Sequence, residues 1–386
     1  MDDFPYTESM QNKTESNQWN DSYLSWEFFF AGGLSILVCL GTWAFVDRSV
    51  SLLTISQLAF SLAFFVNHPH FLSSYMLIYG DFRKSILKKP RYFVSGVLVP
   101  VFLVGVLATA LINQDGNLMA YTVTGMYVLV GWHYVKQVFG FLVVSSAQRK
   151  VYYKTWERRV LLTNLIALWL MSALASHVGS TNFDFYGIKY SGLGLPPVLM
   201  QFTYWGVGLS FAVSLWMILQ KYIREGVKPA PAGAAAYLAL YAWYLPITAH
   251  PSFAYLIPLF HSMQYLTFVW VMKRNQVRFE ISSLKDAAWR AAWVKKFGGF
   301  LLGACLLGAT FFQWLPSILD RMQLVPAGGS LGGSPMLASF LLFINIHHYF
   351  IDNAIWRSDN EVVKRHLMQG LSAPIATEKV SSGKVA

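Results

Sequence analysis

Residues Pro335–Trp356 read PMLASFLLFINIHHYFIDNAIW. The run holds no Lys or Arg and one acidic residue, Asp352. It is long enough to cross the hydrocarbon core of a bilayer, which needs about 20 apolar residues. In that core every backbone polar group must be satisfied internally, so the run has to be a helix. Its middle is nevertheless polar, with Asn345, His347, His348 and Asp352 in eight residues. An ionisable side chain is costly inside a membrane and is by default functional there. This one stretch predicts a membrane-spanning helix that carries chemistry.

Nine further stretches have the same length and apolarity. The ten are Trp26–Val46, Val50–Tyr79, Tyr92–Ile112, Met119–Ser146, Val160–Gly179, Pro196–Gln220, Gly233–Ala249, Pro251–Met272, Phe297–Leu315 and Pro335–Trp356. Composition agrees: 55% of the 386 residues are hydrophobic and 13% charged, against roughly 45–50% and 25% in soluble domains. The expected fold is all-α, a polytopic helical bundle of about ten spans. Residues 1–25 read as a polar N-terminal tail, 26–357 as the transmembrane domain and 358–386 as a polar C-terminal tail. The start of the chain is polar and acidic, without the basic start and apolar core of a cleaved signal. Cys39 and Cys305 both fall in apolar runs, which excludes a disulfide framework and a CxxC metal site. The Gly-Gly-Ser-Leu-Gly-Gly run in the loop 316–335 lacks the Gly-Lys-Ser/Thr end of a phosphate loop.

A net charge of +11 could point to nucleic acid, but the positions of the basic residues point to a membrane. Lys and Arg concentrate in the loops after the second, fourth, sixth and eighth spans and nearly vanish from the loops between. Basic loops stay on the cytoplasmic side, so both termini are expected there, in a bacterial inner membrane. That placement rules out use of the sequons at Asn12 and Asn20. The loop 273–296 carries Trp289 and Trp293 four residues apart among Lys and Arg, the pattern of a short amphipathic helix on the cytoplasmic membrane face.

Six of the nine histidines lie well inside the apolar runs, away from their outer ends: His68, His70, His133, His261, His347 and His348. At 1.5 Å per residue from each cytoplasmic end, His133 lies roughly 20 Å deep, His68 and His261 roughly 17 Å, and His70 and His347 roughly 14 Å. They form one layer drawn from four helices. Lys136 and Gln137 share a face with His133, Gln264 follows His261 by three residues, and Asp352 follows His348 by four. Histidines that bind a metal commonly donate their second nitrogen to a carboxylate, amide or carbonyl, a part open to Asp352, Gln137 and Gln264. Asp352 could also ligate directly, and Lys136 could pair with it. His347 and His348 point about 100° apart on a helix, so one of them need not reach the same ion. His177 and His250 fall at outer ends, and His366 lies in the tail.

The runs Asn67-His-Pro-His-Phe, Gly131-Trp-His-Tyr-Val-Lys-Gln, Phe260-His-Ser-Met-Gln-Tyr and Asn345-Ile-His-His-Tyr-Phe-Ile-Asp-Asn-Ala-Ile-Trp-Arg resemble a group of bacterial multi-span, histidine-rich membrane proteins to which no established activity attaches. In architecture the chain is similar to membrane-embedded histidine-rich iron enzymes: the fatty-acid desaturases and hydroxylases, and the carotene-cleaving membrane dioxygenases. It departs from the desaturase pattern of HxxxH and HxxHH boxes, since only His347-His348 is like such a box. The likeness carries over no residue roles and lies in architecture alone.

The six histidines are therefore candidate metal ligands. Asp352 and Lys136 are candidate catalytic groups, and Gln137 and Gln264 candidate supports. Several imidazoles with one carboxylate suit non-haem iron, with zinc or copper also compatible. The expected activity is oxidation of a lipid or isoprenoid entering from the bilayer, by hydroxylation, desaturation or cleavage, with a redox partner. A proton-coupled transporter built on the His, Lys and Asp layer is one alternative. Bis-histidine haem ligation is another, and a polar layer that only holds helices together is the third.

Overall fold

A computed structural model describes residues 26–45, 54, 57–58, 61–63, 65–179, 182–357 and 359–368. The tail 1–25, with Asn12 and Asn20, lies outside the described residues. So do most of the first half of the expected span Val50–Tyr79 and the tail beyond 368.

The described chain is almost wholly helical. Its main helices are α1 (Trp26–Ala44), α2 (Asn67–Met76), α3 (Pro90–Ile112), α4 (Gly116–Gln148), α5 (Thr155–Ala175), α6 (Val198–Glu225), α7 (Pro231–Ala249), α8 (Ile257–Glu280), α9 (Asp286–Arg321) and α10 (Pro335–Ile355). Six of them, α1, α3, α4, α5, α6 and α9, are long and apolar enough to cross a membrane. Their faces agree with that role. On α6, Trp205 is 78% exposed and Leu209 71%, while Ser214 and Lys221 are buried. A helix that turns apolar side chains outward and polar ones inward is built for lipid. These features mark an integral membrane protein. The helices α8 and α10 are of spanning length but less apolar, α10 because of His347, His348 and Asp352, and α8 because of His261 and Gln264 near its start and the charged residues from Lys273 to its end.

The elements depart from the sequence reading at three places. In the second expected span the described residues 54, 57–58 and 61–63 are helical, a turn at Phe65 and Val66 interrupts the span, and α2 begins at Asn67. The basic stretch with Trp289 and Trp293 is no separate surface helix. It is the first two turns of α9, which continues through Pro316 to Arg321 with π-turns at Val294–Gly298 and Thr310–Trp314. The two indoles stack at 5.4 Å. A small hairpin, β1 (Asn182–Phe185) and β2 (Ile188–Ser191), was not anticipated. Its turn residues Tyr186 and Gly187 both have positive φ, 51° and 93°, as a two-residue type I′ turn requires.

Four helices frame the centre of the molecule. The α10 helix packs on α2 and on α4, and α8 packs on α2. Behind α2 lies α9, held close at Gly308. A Cβ there would stand 2.7 Å from the carbonyl oxygen of His68, so only glycine permits that approach. A second group, α5, α6 and α7, packs to one side against α4.

Candidate metal centre

His70 of α2, His133 of α4, His261 of α8 and His348 of α10 converge where those four helices meet. Each offers a nitrogen, and the four nitrogens all lie within 4.8 Å of one another. The side chains are deeply buried, with exposures of 1%, 7%, 2% and 2% in chain order. The rings form a closed circuit. Centroid separations are 4.9 Å from His70 to His261, 4.8 Å from His261 to His133, 5.1 Å from His133 to His348 and 4.3 Å from His348 back to His70. Successive ring planes are inclined at 73–88°. Each imidazole thus stands edge-on to its neighbours, as four ligands around one ion would.

The hydrogen bonding tests whether the group fits a metal. His70 Nε2, His133 Nε2, both nitrogens of His261 and both of His348 are buried without a hydrogen-bond partner. Leaving one such group unsatisfied costs about 1–3 kcal/mol, and here several unsatisfied nitrogens gather at one point. A cation that accepts their lone pairs removes that cost. Four imidazole nitrogens bound tetrahedrally at about 2.0–2.1 Å stand roughly 3.3 Å apart. The most widely spaced nitrogens therefore need to approach by up to roughly 1.5 Å to reach that geometry. The buried four-histidine group can hold a metal ion.

Its surroundings are ordered by helix periodicity. Each of the four histidines is followed four residues later by a polar side chain: Ser74, Gln137, Tyr265 and Asp352. Three of these form a layer one turn along the bundle. Asp352 Oδ1 accepts from Ser74 Oγ at 3.0 Å, from the Tyr265 hydroxyl at 3.0 Å and from Trp356 Nε1 at 3.3 Å. Asp352 Oδ2 points the other way, 3.2 Å from His348 Nε2 and 3.5 Å from His133 Nε2. Neither contact has hydrogen-bond alignment. The carboxylate and the two rings face a common point rather than each other. On another side, Ser262 Oγ meets His70 Nδ1 at 2.6 Å. This fixes the ring so that Nε2 faces the quartet. A cavity of ≈ 10 Å³ adjoins the rings, lined also by Phe71, Val130, Pro258 and Asn345.

The other residues singled out in the sequence stand apart from the quartet. His347 is turned away, with Nε2 donating to the Ser95 carbonyl at 2.9 Å and Nδ1 accepting from the Tyr75 hydroxyl at 2.9 Å. Both of its nitrogens are used. His68 faces α9, its ring 6.4 Å from that of Phe312. Lys136 does not pair with Asp352. Its Nζ lies over the Trp132 ring at 5.9 Å, and no ion pair joins it to a carboxylate among the described residues. Gln137 Nε2 donates to the His261 carbonyl and to Gln264 Oε1, both at 2.9 Å, and Gln264 donates to the Ala31 carbonyl. The two amides brace the backbone of α8 and do not touch the rings. Ser74, Ser262, Tyr265 and Trp356 escaped the sequence reading. The four-residue spacing behind the histidines was the available signal for Ser74 and Tyr265. The same spacing behind Asp352 was the signal for Trp356.

Compared with family models, with curated proteins and with solved structures, the chain matches none. Its function has to be read from its own residues.

Proposed function

We propose that the chain is an integral membrane metalloprotein whose metal is held by His70, His133, His261 and His348. The observation that carries this reading is the convergence of four buried imidazoles, each with at least one nitrogen that has no hydrogen-bond partner. Asp352 stands beside two of the ligands as a fifth donor or as an orienting base. The bundle has about ten spans with both termini cytoplasmic, in the inner membrane of a bacterium, as the alternation of basic loops supports.

The reaction we assign is oxidation of a lipid or isoprenoid at non-haem iron, with zinc or copper as the competing metals. Four imidazoles leave coordination positions open on an ion that prefers six ligands. Val130 is half-buried on the wall of the adjoining cavity, where a chain from the bilayer would enter. The cavity is close to the size of one water molecule, so entry requires Phe71 and Val130 to swing aside. A haem suits the site poorly, since a porphyrin held between two opposite imidazoles would collide with the other two. The transporter reading loses its proposed charge relay, because Lys136 and Asp352 do not meet.

Metal analysis of the purified chain, expressed in metal-replete medium, tests the proposal. One transition-metal ion per chain is expected. A chain free of metal, and unable to take up ferrous, cupric or zinc ions, overturns it.

A further inference from the structure

Two buried tyrosines stand beside the quartet: Tyr134, with its ring 4.4 Å from that of His261, and Tyr265. Of the two it is Tyr265 whose hydroxyl bonds to a carboxylate. Tyr265 is 1% exposed, and its ring centroid lies 4.4 Å from that of His70 and 5.6 Å from that of His348. Its hydroxyl is held by three polar neighbours. It meets Ser74 Oγ at 2.5 Å, donates to Asp352 Oδ1 at 3.0 Å and accepts from Trp356 Nε1 at 3.2 Å. The Trp356 indole meets the Tyr265 ring edge-on at 5.6 Å. It sits just past the end of α10, half-buried, next to the exposed Arg357. A tyrosine and a tryptophan thus run in contact from a buried ligand to the end of the bundle. A phenol whose proton can move to a neighbouring carboxylate is far easier to oxidise than one without such a base.

Resting on the metal reading, we infer that Tyr265 and Trp356 form a relay that carries oxidising equivalents away from the centre when no substrate consumes them. Hydrogen peroxide accepts two electrons and two protons and leaves as two waters. Ferrous iron supplies one electron and becomes ferric. Tyr265 supplies the other: its O–H bond breaks, the electron passes to the centre, and the proton passes to Asp352 Oδ1. This leaves a neutral phenoxyl radical with its proton held on Asp352, and both protons for the waters come from solvent. Trp356 then reduces the radical. One electron moves from the indole to Tyr265, the proton on Asp352 returns to the phenol oxygen, and the Nε1 proton takes its place on Asp352 Oδ1, 3.3 Å away. The indole radical at the bundle end is quenched there by a one-electron reductant such as ascorbate or a thiol. Since the route ends beside Arg357, an anionic reductant suits it best.

The test uses the full chain in detergent, loaded anaerobically with ferrous iron, with iron content measured before each run. Hydrogen peroxide is added, samples are freeze-quenched, and electron paramagnetic resonance spectra are recorded. The relay predicts a tyrosyl radical that narrows when the protein carries ring-deuterated tyrosine. Tyr265→Phe keeps the iron and loses the signal. Trp356→Phe keeps both, and its tyrosyl signal decays at least tenfold more slowly because the next donor is gone. An iron-loaded chain that yields no protein radical overturns the relay and leaves the metal centre standing. The same holds for an undiminished signal in Tyr265→Phe, and for a chain that takes up only a redox-inert metal. A chain that binds no metal at all removes both.

Discussion

Two buried polar regions sit side by side in this bundle and are built on opposite rules. Between α5, α6 and α7, Asn164 is fully buried. Its Oδ1 accepts from the hydroxyls of Tyr237 and Tyr241, and its Nδ2 donates to Ser210 Oγ at 2.9 Å. At the basic-loop end of the same helices, Lys221 Nζ lies 3.2 Å from Glu157 and 2.9 Å from Glu225. Glu157 also accepts the backbone N–H of Lys154 at 2.7 Å. In these two groups donors meet acceptors and charges meet opposite charges. The buried atoms left without a hydrogen-bond partner on the same helices, Trp169 Nε1, Ser214 Oγ and Trp243 Nε1, are scattered and uncharged. Between α2, α4, α8 and α10 the polar atoms are as deeply buried, yet six nitrogens of the quartet and one carboxylate oxygen find no hydrogen-bond partner. A closed network holds helices together and needs nothing more. An open one is unstable unless something else completes it. Histidine abundance does not distinguish the regions; the state of the lone pairs does.

The contrast can be attacked from both sides. The largest effect is expected for His261→Ala, which removes a ligand that has no other partner. It should abolish stoichiometric metal uptake while changing the stability of the metal-free chain little, as metal analysis paired with thermal unfolding in detergent will report. A metal-free chain that unfolds far more easily after this change would put His261 in the class of scaffold.

Next comes Lys221→Met in the closed region. It leaves Glu157 buried without its cation, at a cost of about 3 kcal/mol by analogy with other broken buried pairs, and metal content should stay at one per chain. Ser262→Ala removes the group that orients His70. Support of this kind is worth roughly 10–100-fold in metal affinity, measurable by competition with a chelator. The smallest effect on the metal is assigned to Asn164→Leu, which strands two tyrosine hydroxyls at about 1–3 kcal/mol each and should leave metal affinity untouched. Loss of metal in either Lys221→Met or Asn164→Leu would erase the distinction between the regions.

The membrane class was legible in the sequence, and a layer of histidines could be expected from it, because both readings are one-dimensional. Apolar run length needs no knowledge of neighbours, and a residue's depth follows from its distance to a basic loop. Which histidines meet was not legible, because that depends on how each helix is rotated. His347 and His348 are adjacent in sequence, yet one is bonded to Ser95 and Tyr75 and the other faces the quartet. His68 and His70 divide in the same way, with Gly308 pressing α9 against the His68 backbone. Lys136 shares a helical face with His133 at sequence level. Its long side chain nevertheless ends over Trp132, a contact that spacing alone does not specify. The extension of α9 back to Asp286 was missed for another reason: a charged stretch reads as a loop, although nothing in it breaks a helix.

X-ray absorption on the metal-loaded chain tests the central claim most directly. The account predicts an inner shell dominated by nitrogen at about 2.0–2.1 Å, with the outer-shell scattering of four imidazoles, reduced to three in any residual metal bound by His70→Ala. A shell of oxygen or sulfur with one imidazole or none would contradict it.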